Sequence, residues 1–97
     1  MDYKEYRNEL LRAIEQNAKC DAAYFQTQPV RYGIDGAILW KGKVEIFQLK
    51  NHPAAKLAFG WGYEGKNKKI EYVTVIGIPP FDSPLQAVKG FVASLKK

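Results

Sequence analysis

Apolar and polar positions alternate most regularly in the second half of the chain. Phe59, Trp61 and Tyr63 alternate with small residues, and a β-branched run follows them after a lysine-rich turn. A period of two is typical of a strand, and the glycines between the aromatic residues would each cost a helix up to ~1 kcal/mol. The pattern therefore predicts a hairpin over residues 57–78 with its turn at 65–68. We expect its three aromatic side chains to share one face and to pack as core beneath the C-terminal helix.

Apolar residues recur at helical spacing near both ends of the chain. The first segment is predicted to be a helix over residues 2–17, with Asp2 and Glu5 forming a capping box. The second helix is predicted to begin with Ser83 as N-cap and Pro84 at the first helical position. Its apolar stripe consists of Leu85, Val88, Phe91, Val92 and Leu95.

Between the first helix and the hairpin, three further strands are predicted, over residues 22–28, 33–40 and 43–50. Pro29 closes the first of them or confines it to a sheet edge. A tight turn at Lys41-Gly42 joins the other two. The predicted fold is α+β: an antiparallel, meander-like sheet of about five strands, flanked by an N-terminal and a C-terminal helix that cover one face. Residues 1–97 are expected to form a single domain of this class.

The chain is basic, with a net charge of +5 and pI ≈ 9.4. Residues 51–97 carry seven Lys/Arg against three Asp/Glu, and Lys66, Lys68 and Lys69 form a cluster in the predicted turn. This balance permits contact with nucleic acid or with an acidic protein surface.

Several classes of function lack the residues that they need. The single Cys20 excludes an intramolecular disulfide and fits a reducing, cytoplasmic compartment. The single His52 leaves neither a Cys/His zinc site nor a Ser-His-Asp triad with enough members. No apolar run approaches the ~20 residues that span a bilayer. No cofactor and no membrane association are therefore predicted.

One polar constellation resembles the PD-(D/E)xK nucleases, particularly small junction resolvases. Asp35 and Lys50 match the family's strand residues, Gln48 stands where a carboxylate is usual, and Glu9 would be the helical partner. The resemblance implies a Mg²⁺-dependent nuclease, in which carboxylates hold the metal and a Lys lies near the attacking water. The family follows its catalytic strand with a sizeable helix, whereas a hairpin is predicted here.

Another hypothesis is that the chain is a nucleic-acid-binding module. Trp61 and Tyr63 would stack on bases, while Lys66, Lys68 and Lys69 would contact phosphates.

From Trp40 onward the chain resembles a group of small phage and prophage proteins of unassigned activity. The similarity departs from the group's pattern at Phe59 and Gly60, and it spares residues 1–39. The matching residues are Trp40, Gly42, Val44, Glu45, Phe47, Leu49, His52, Pro53, Ala55, Phe59, Trp61, Tyr63, Ile78, Pro79, Pro80, Ser83, Pro84, Ala87 and Val88. The resemblance implies a phage-borne accessory protein. Together with the small size, the basic charge and the missing catalytic parts, it favours a non-enzymatic module that binds a host or viral macromolecule. The expected partner is a host or viral protein complex, such as a host defence or replication complex that the module would inhibit. The nuclease and the nucleic-acid-binding module remain the alternatives.

Overall fold

The computed structural model describes residues 3–95. In chain order the elements are helix α1 (Tyr3–Ala18), strands β1 (Ala22–Ile34), β2 (Ala37–Leu49) and β3 (Leu57–Glu64), a 3₁₀ turn (Lys66–Lys68), strand β4 (Ile70–Ile76) and helix α2 (Pro84–Leu95). The predicted capping role of Asp2 lies outside the described residues.

The sheet is an antiparallel meander with strand order β1-β2-β3-β4. The predicted α+β class and the two flanking helices are confirmed, but the described residues form four strands instead of about five. Asp35 and Gly36 make the turn between β1 and β2, with φ of 53° and 83°. Positive φ at both central residues is the geometry of a two-residue type I′ hairpin turn, for which Asp-Gly is a preferred sequence.

The predicted turn at Lys41-Gly42 is wrong, because these residues lie within β2. Lys41 pairs with Arg31 and Gly42 with Val30 in a continuous ladder. A Cβ on Gly42 would lie 3.0 Å from the Trp40 ring, so this glycine makes room for the indole. Pro29 does not end the first strand. It sits in the middle of β1, which is tolerated because β1 is an edge strand.

The helices cover opposite faces of the sheet, which corrects the expectation that both cover one face. Side chains of a strand alternate between the two faces. In β2, Phe47 and Leu49 pack with α1, while Val44 and Ile46 pack with α2. A central strand that is apolar on both faces needs a cover on each side.

The hairpin of β3 and β4 is confirmed, with pairs from Ala58↔Ile76 to Glu64↔Ile70. Its aromatic side chains face α2, as predicted. The intervening glycines lie on the face of the sheet that α1 covers. A Cβ on Gly60 would lie 2.8 Å from Leu10 Cδ1 of α1. The absence of side chains on this face therefore allows α1 to lie close to β3.

Helix α2 begins as predicted, because the Ser83 hydroxyl accepts the N–H of Gln86 at 3.2 Å. Its buried residues are Ala87, Val88 and Val92. The outer members of the predicted stripe, Leu85 and Leu95, are exposed. The buried stripe is therefore narrower and shorter than the sequence pattern suggested.

Candidate functional site

The ladder between the two central strands, β2 and β3, is unusually short. It consists of four pairs, from Gln48↔Leu57 to Glu45↔Gly60. Beyond the last pair, β2 extends back to Ala37 and β3 continues to Glu64. Each strand stays paired with its outer neighbour over this region. The two hairpins therefore diverge and leave an opening between residues 41–44 of β2 and 61–64 of β3, which we call the inter-hairpin cleft.

The inter-hairpin cleft has a volume of about 660 Å³ and is lined mainly by aromatic side chains, with two lysines and one carboxylate. The lining residues are Tyr3, Tyr6, Trp40, Lys41, Gly42, Lys43, Glu45, Trp61, Gly62, Tyr63 and Ile70. A concave, aromatic surface with a few polar groups is the usual composition of a binding site.

Helix α1 takes the place of β2 as the partner of β3 in this region. The N–H of Gly62 donates a 2.7 Å hydrogen bond to the hydroxyl of Tyr6. A Cβ on Gly62 would lie 2.7 Å from Tyr6 Cε1, so only glycine lets the ring approach this closely. Burial raises the pKa of the Tyr6 phenol above its ordinary value, although the bond from Gly62 acts in the opposite direction. Tyr6 is therefore a neutral hydroxyl at physiological pH.

A buried carboxylate, Glu45, forms one part of the cleft wall. Its Oε1 accepts hydrogen bonds from the hydroxyls of Tyr3 at 2.5 Å and Thr27 at 3.0 Å, and its side chain is 1% exposed. The Arg7 Nε lies 3.8 Å from the same oxygen. The Arg7 guanidinium also stacks between aromatic rings, 4.6 Å from the Tyr3 centroid and 3.7 Å from that of Tyr24. The charge of Glu45 is thus compensated internally.

The opposite part of the wall is formed by Trp61, which is 1% exposed. Its ring makes edge-to-face contacts with Trp40 at 5.4 Å and with Phe91 of α2 at 5.5 Å. Trp61 Nε1 is buried, and no residue that the structure describes accepts its hydrogen. These contacts place the indole in the core, so Trp61 offers no free face for a base to stack on.

Tyr63 is the more accessible of the two aromatic residues predicted for binding. Its ring lies 5.7 Å from Phe91, and its hydroxyl donates to Glu71 at 2.7 Å. That hydrogen bond raises the pKa of the Tyr63 phenol, because the nearby carboxylate disfavours a phenolate. Tyr63 is therefore only partly free to meet a ligand.

The three predicted phosphate-binding lysines are all exposed and lie in the turn between β3 and β4. Lys66 and Lys68 belong to the 3₁₀ segment, and Lys69 follows it. The backbone N–H of Gly65 closes the turn on the carbonyl of Lys69 at 2.7 Å. Because β3 enters this turn, the lysines lie beyond the end of one cleft wall.

The residues of the nuclease hypothesis are not brought together. Asp35 sits in the β1–β2 turn, whereas Gln48 and Lys50 lie at the other end of β2. Gln48 lies eleven positions after Ala37, the start of β2, which corresponds to roughly 35 Å of extended chain. Glu9 is on α1 and lies 3.4 Å from Arg12. Within residues 3–95, no group of three or more His, Cys, Asp and Glu side chains is placed to hold a metal ion.

Sequence reasoning did not find the inter-hairpin cleft. The sequence predicts a turn at Lys41-Gly42 in this region, which separates Trp40 and Lys43 into two different strands. One signal was present: Asp35-Gly36 is a stronger hairpin sequence than Lys41-Gly42. It would have placed the lysines inside a long strand next to the aromatic hairpin.

No protein family, curated protein or solved structure matches this chain. In the part of the chain that the structure describes, no helix is both long enough and apolar enough to cross a membrane.

Proposed function

We propose that this chain is a non-enzymatic accessory protein that binds a partner protein through the inter-hairpin cleft. One observation carries the proposal: the β2–β3 ladder stops at Glu45↔Gly60 although both strands continue. Strands whose inner edges run on without pairing leave main-chain groups that can bind another polypeptide. A nucleic acid offers no matching peptide backbone.

The chemistry of the cleft suits a protein partner. Aromatic residues supply apolar contact area, and interface cores are enriched in Tyr and Trp. Lys41 and Lys43 are exposed, while the one carboxylate in the wall, Glu45, is already bonded to neighbouring side chains. The rim therefore favours an acidic surface on the partner. We place this partner in a host or viral protein complex of the cytoplasm, in line with the resemblance to phage proteins and the lone Cys20.

The test is affinity capture from host-cell lysate with a pair of matched double variants. The variant Lys41→Glu/Lys43→Glu reverses two charges at the cleft. The control Lys50→Glu/Lys56→Glu makes the same change at the other end of the same strands, where both lysines are also exposed.

We expect wild type and control to retain a protein partner after nuclease treatment, and the cleft variant to lose it. Equal retention by both variants would show that the cleft is not the binding site. Loss of every partner after nuclease treatment would show that nucleic acid mediates the binding.

A second candidate function is weak nucleic-acid binding by the turn between β3 and β4. The observation that favours it is the exposure of Lys66, Lys68 and Lys69 next to the cleft. Its electrostatic attraction is independent of sequence and sensitive to salt. Single-strand binding at two salt concentrations, with all three lysines replaced by Glu, separates it from protein binding.

A further inference from the structure

We infer that the cleft binds an extended peptide with alternating acidic and apolar residues, which adds as a strand along the inner edge of β2. This inference rests on the proposed function and names the chemistry of the partner at the same site.

The direction of the main-chain groups identifies the edge that would bind the peptide. In an antiparallel strand, the N–H and C=O of one residue point to the same side, and successive residues alternate. The N–H of Leu49 donates toward the β3 side, to Lys56, and the N–H of Lys50 donates toward the β1 side, to Asp21. By this alternation, the main-chain groups of Lys41 and Lys43 face the cleft, and neither residue belongs to the β2–β3 ladder.

The facing edge of β3 is less available. Continuation of the observed register would place Gly62 opposite Lys43. The N–H of Gly62 is already bonded to Tyr6. An incoming strand therefore finds its main-chain partners on β2, and β3 contributes side-chain contacts.

The two sides of the cleft differ in chemistry, and this difference predicts the alternation in the peptide. Lys41 and Lys43 share the face of Glu45, which is the face of α1, whereas Trp40 lies on the face of α2 with Trp61. One side chain of the added strand would therefore meet lysines and tyrosine hydroxyls. The next would meet the ring of Trp40, which is half-buried.

The charges around the lysine side of the cleft favour an acidic peptide residue next to one of the two lysines. Glu45 is compensated by Tyr3, Thr27 and Arg7. Glu64, the acid on the facing strand, would lie opposite Lys41 if the register continued. In the same continued register Lys43 would lie opposite Gly62, so no acid of β3 would stand across from it. We therefore expect Lys43 to be the main contact for a peptide carboxylate.

The probe is a fluorescein-labelled peptide of seven residues in which glutamate and valine alternate, with both ends capped. Three matched peptides accompany it. One replaces glutamate by lysine, one carries N-methyl groups on alternate backbone nitrogens, and one groups the glutamates at one end. Binding is followed by fluorescence anisotropy for wild type, Lys43→Glu and the control Lys56→Glu. Thermal melting verifies that each variant is folded.

We expect the alternating acidic peptide to bind, and each matched peptide to bind about tenfold more weakly or not at all. Lys43→Glu should weaken the acidic peptide by about tenfold or more, and Lys56→Glu by less than about twofold. Amide hydrogen exchange at Lys41 and Lys43 should slow in the complex, because their N–H groups become paired.

Equal binding of the N-methylated or the grouped peptide would overturn strand addition. Lys43-dependent binding of a single-stranded oligonucleotide with equal affinity would do the same and assign the cleft to nucleic acid. If no probe peptide binds, but captured partner protein still depends on Lys41 and Lys43, the peptide inference fails and the proposed function stands. If neither depends on these lysines, both fail.

Discussion

The backbone N–H of Gly62 in β3 donates a 2.7 Å hydrogen bond to the hydroxyl of Tyr6 in α1. By register, this donor lies at the level where β2 would otherwise continue its ladder with β3. The helix thus takes up a main-chain group that the opening of the sheet leaves without a strand partner. The relationship explains how a central strand can part from its neighbour inside a folded domain.

Replacing Tyr6 by Phe should destabilise the protein by about 1 kcal/mol, because it removes one hydrogen bond and leaves the Gly62 donor without its partner. Urea unfolding measures the change. The matched control is Tyr63→Phe, which removes an exposed hydroxyl bonded to Glu71 and should cost less than about 0.5 kcal/mol. Equal stability of Tyr6→Phe and wild type would show that the bond does not stabilise the separation of the strands.

Tyr6 also makes the stability of the protein depend on pH in the alkaline range. Burial is the main cause that raises the pKa of the Tyr6 phenol above its ordinary value of 10.0. Between the unfolded and folded pKa values the native state holds more protons, so stability falls as pH rises. The contribution of Tyr6 is fully present below its unfolded pKa and is lost as pH passes through the folded pKa.

The stability difference between wild type and Tyr6→Phe should therefore shrink when urea unfolding is repeated from about pH 8 to about pH 11. Tyr63 and Tyr72 also have raised pKa values, but they are present in both proteins and cancel in the comparison. A difference that stays constant over this range would contradict the assignment.

The buried carboxylate offers a third prediction. Glu45→Gln keeps the side-chain volume but removes the charge that Tyr3, Thr27 and Arg7 surround. We expect a loss of about 1.5–3 kcal/mol, the range for hydrogen bonds to a charged group. Arg7 remains partly exposed, with a relative side-chain accessibility of 34%, so its charge can turn to solvent and the larger cost of a stranded buried ion is avoided.

A double-mutant cycle with Tyr3→Phe isolates the contact itself. The 2.5 Å bond between Tyr3 and Glu45 should give a coupling energy of about 0.5–3 kcal/mol. The exposed Glu71→Gln serves as the control for loss of a carboxylate. Additive effects of Tyr3→Phe and Glu45→Gln would mean that the two side chains do not interact in solution.

In the turn between β1 and β2, a substitution at Asp35 should leave stability unchanged, whereas a substitution at Gly36 should lower it. Asp35→Asn keeps a residue that accepts positive φ, and the resulting Asn-Gly pair is favourable in this turn type. Its stability should stay within about 0.5 kcal/mol of wild type. Gly36→Ala forces a side chain into φ of +83° and should cost about 1 kcal/mol. Thermal melting compares the two variants. An unchanged melting temperature of Gly36→Ala would argue against this turn type.

The sequence carried enough information for the local elements and for the β3–β4 hairpin. Ser83 and Pro84 predicted the start of α2. The alternation of Phe59, Trp61 and Tyr63 predicted that these aromatic side chains share one face. These features depend on residues that are close together in the chain. Pattern and capping rules are suited to such short-range relationships.

The inter-hairpin cleft depends on residues that are far apart in the chain. Its opening is accompanied by the bond between Tyr6 and Gly62, and its wall includes Glu45, which the sequence showed only as one polar residue within an apolar strand. The placement of the two helices on opposite faces also depends on long-range packing. The choice between Lys41-Gly42 and Asp35-Gly36 shifted the whole first hairpin, because one turn fixes the register of both strands.

Replacing Trp61 by Ala tests whether this residue stacks on bases of a nucleic acid or packs in the core. If the indole stacked on bases, Trp61→Ala would cost about 1–3 kcal/mol of binding and leave the fold intact. The contacts with Trp40 and Phe91 place it in the core, so we expect a loss of about 3–5 kcal/mol of stability instead. The variant should melt at a much lower temperature. An unchanged melting temperature with lost single-strand binding would contradict this.

The lysine turn is tested in parallel. Lys66, Lys68 and Lys69 offer at most about three phosphate contacts, so any binding should be weak at about 50 mM salt and absent at about 200 mM, because each contact releases a counterion. Replacing all three lysines by Glu should abolish this binding without lowering the melting temperature, because their side chains are exposed. The charge-matched control is a triple Glu variant at Lys19, Lys50 and Lys56, which are also exposed and should retain binding close to that of wild type. Equal loss in both triple variants would mean that net charge, and not the turn, attracts the nucleic acid.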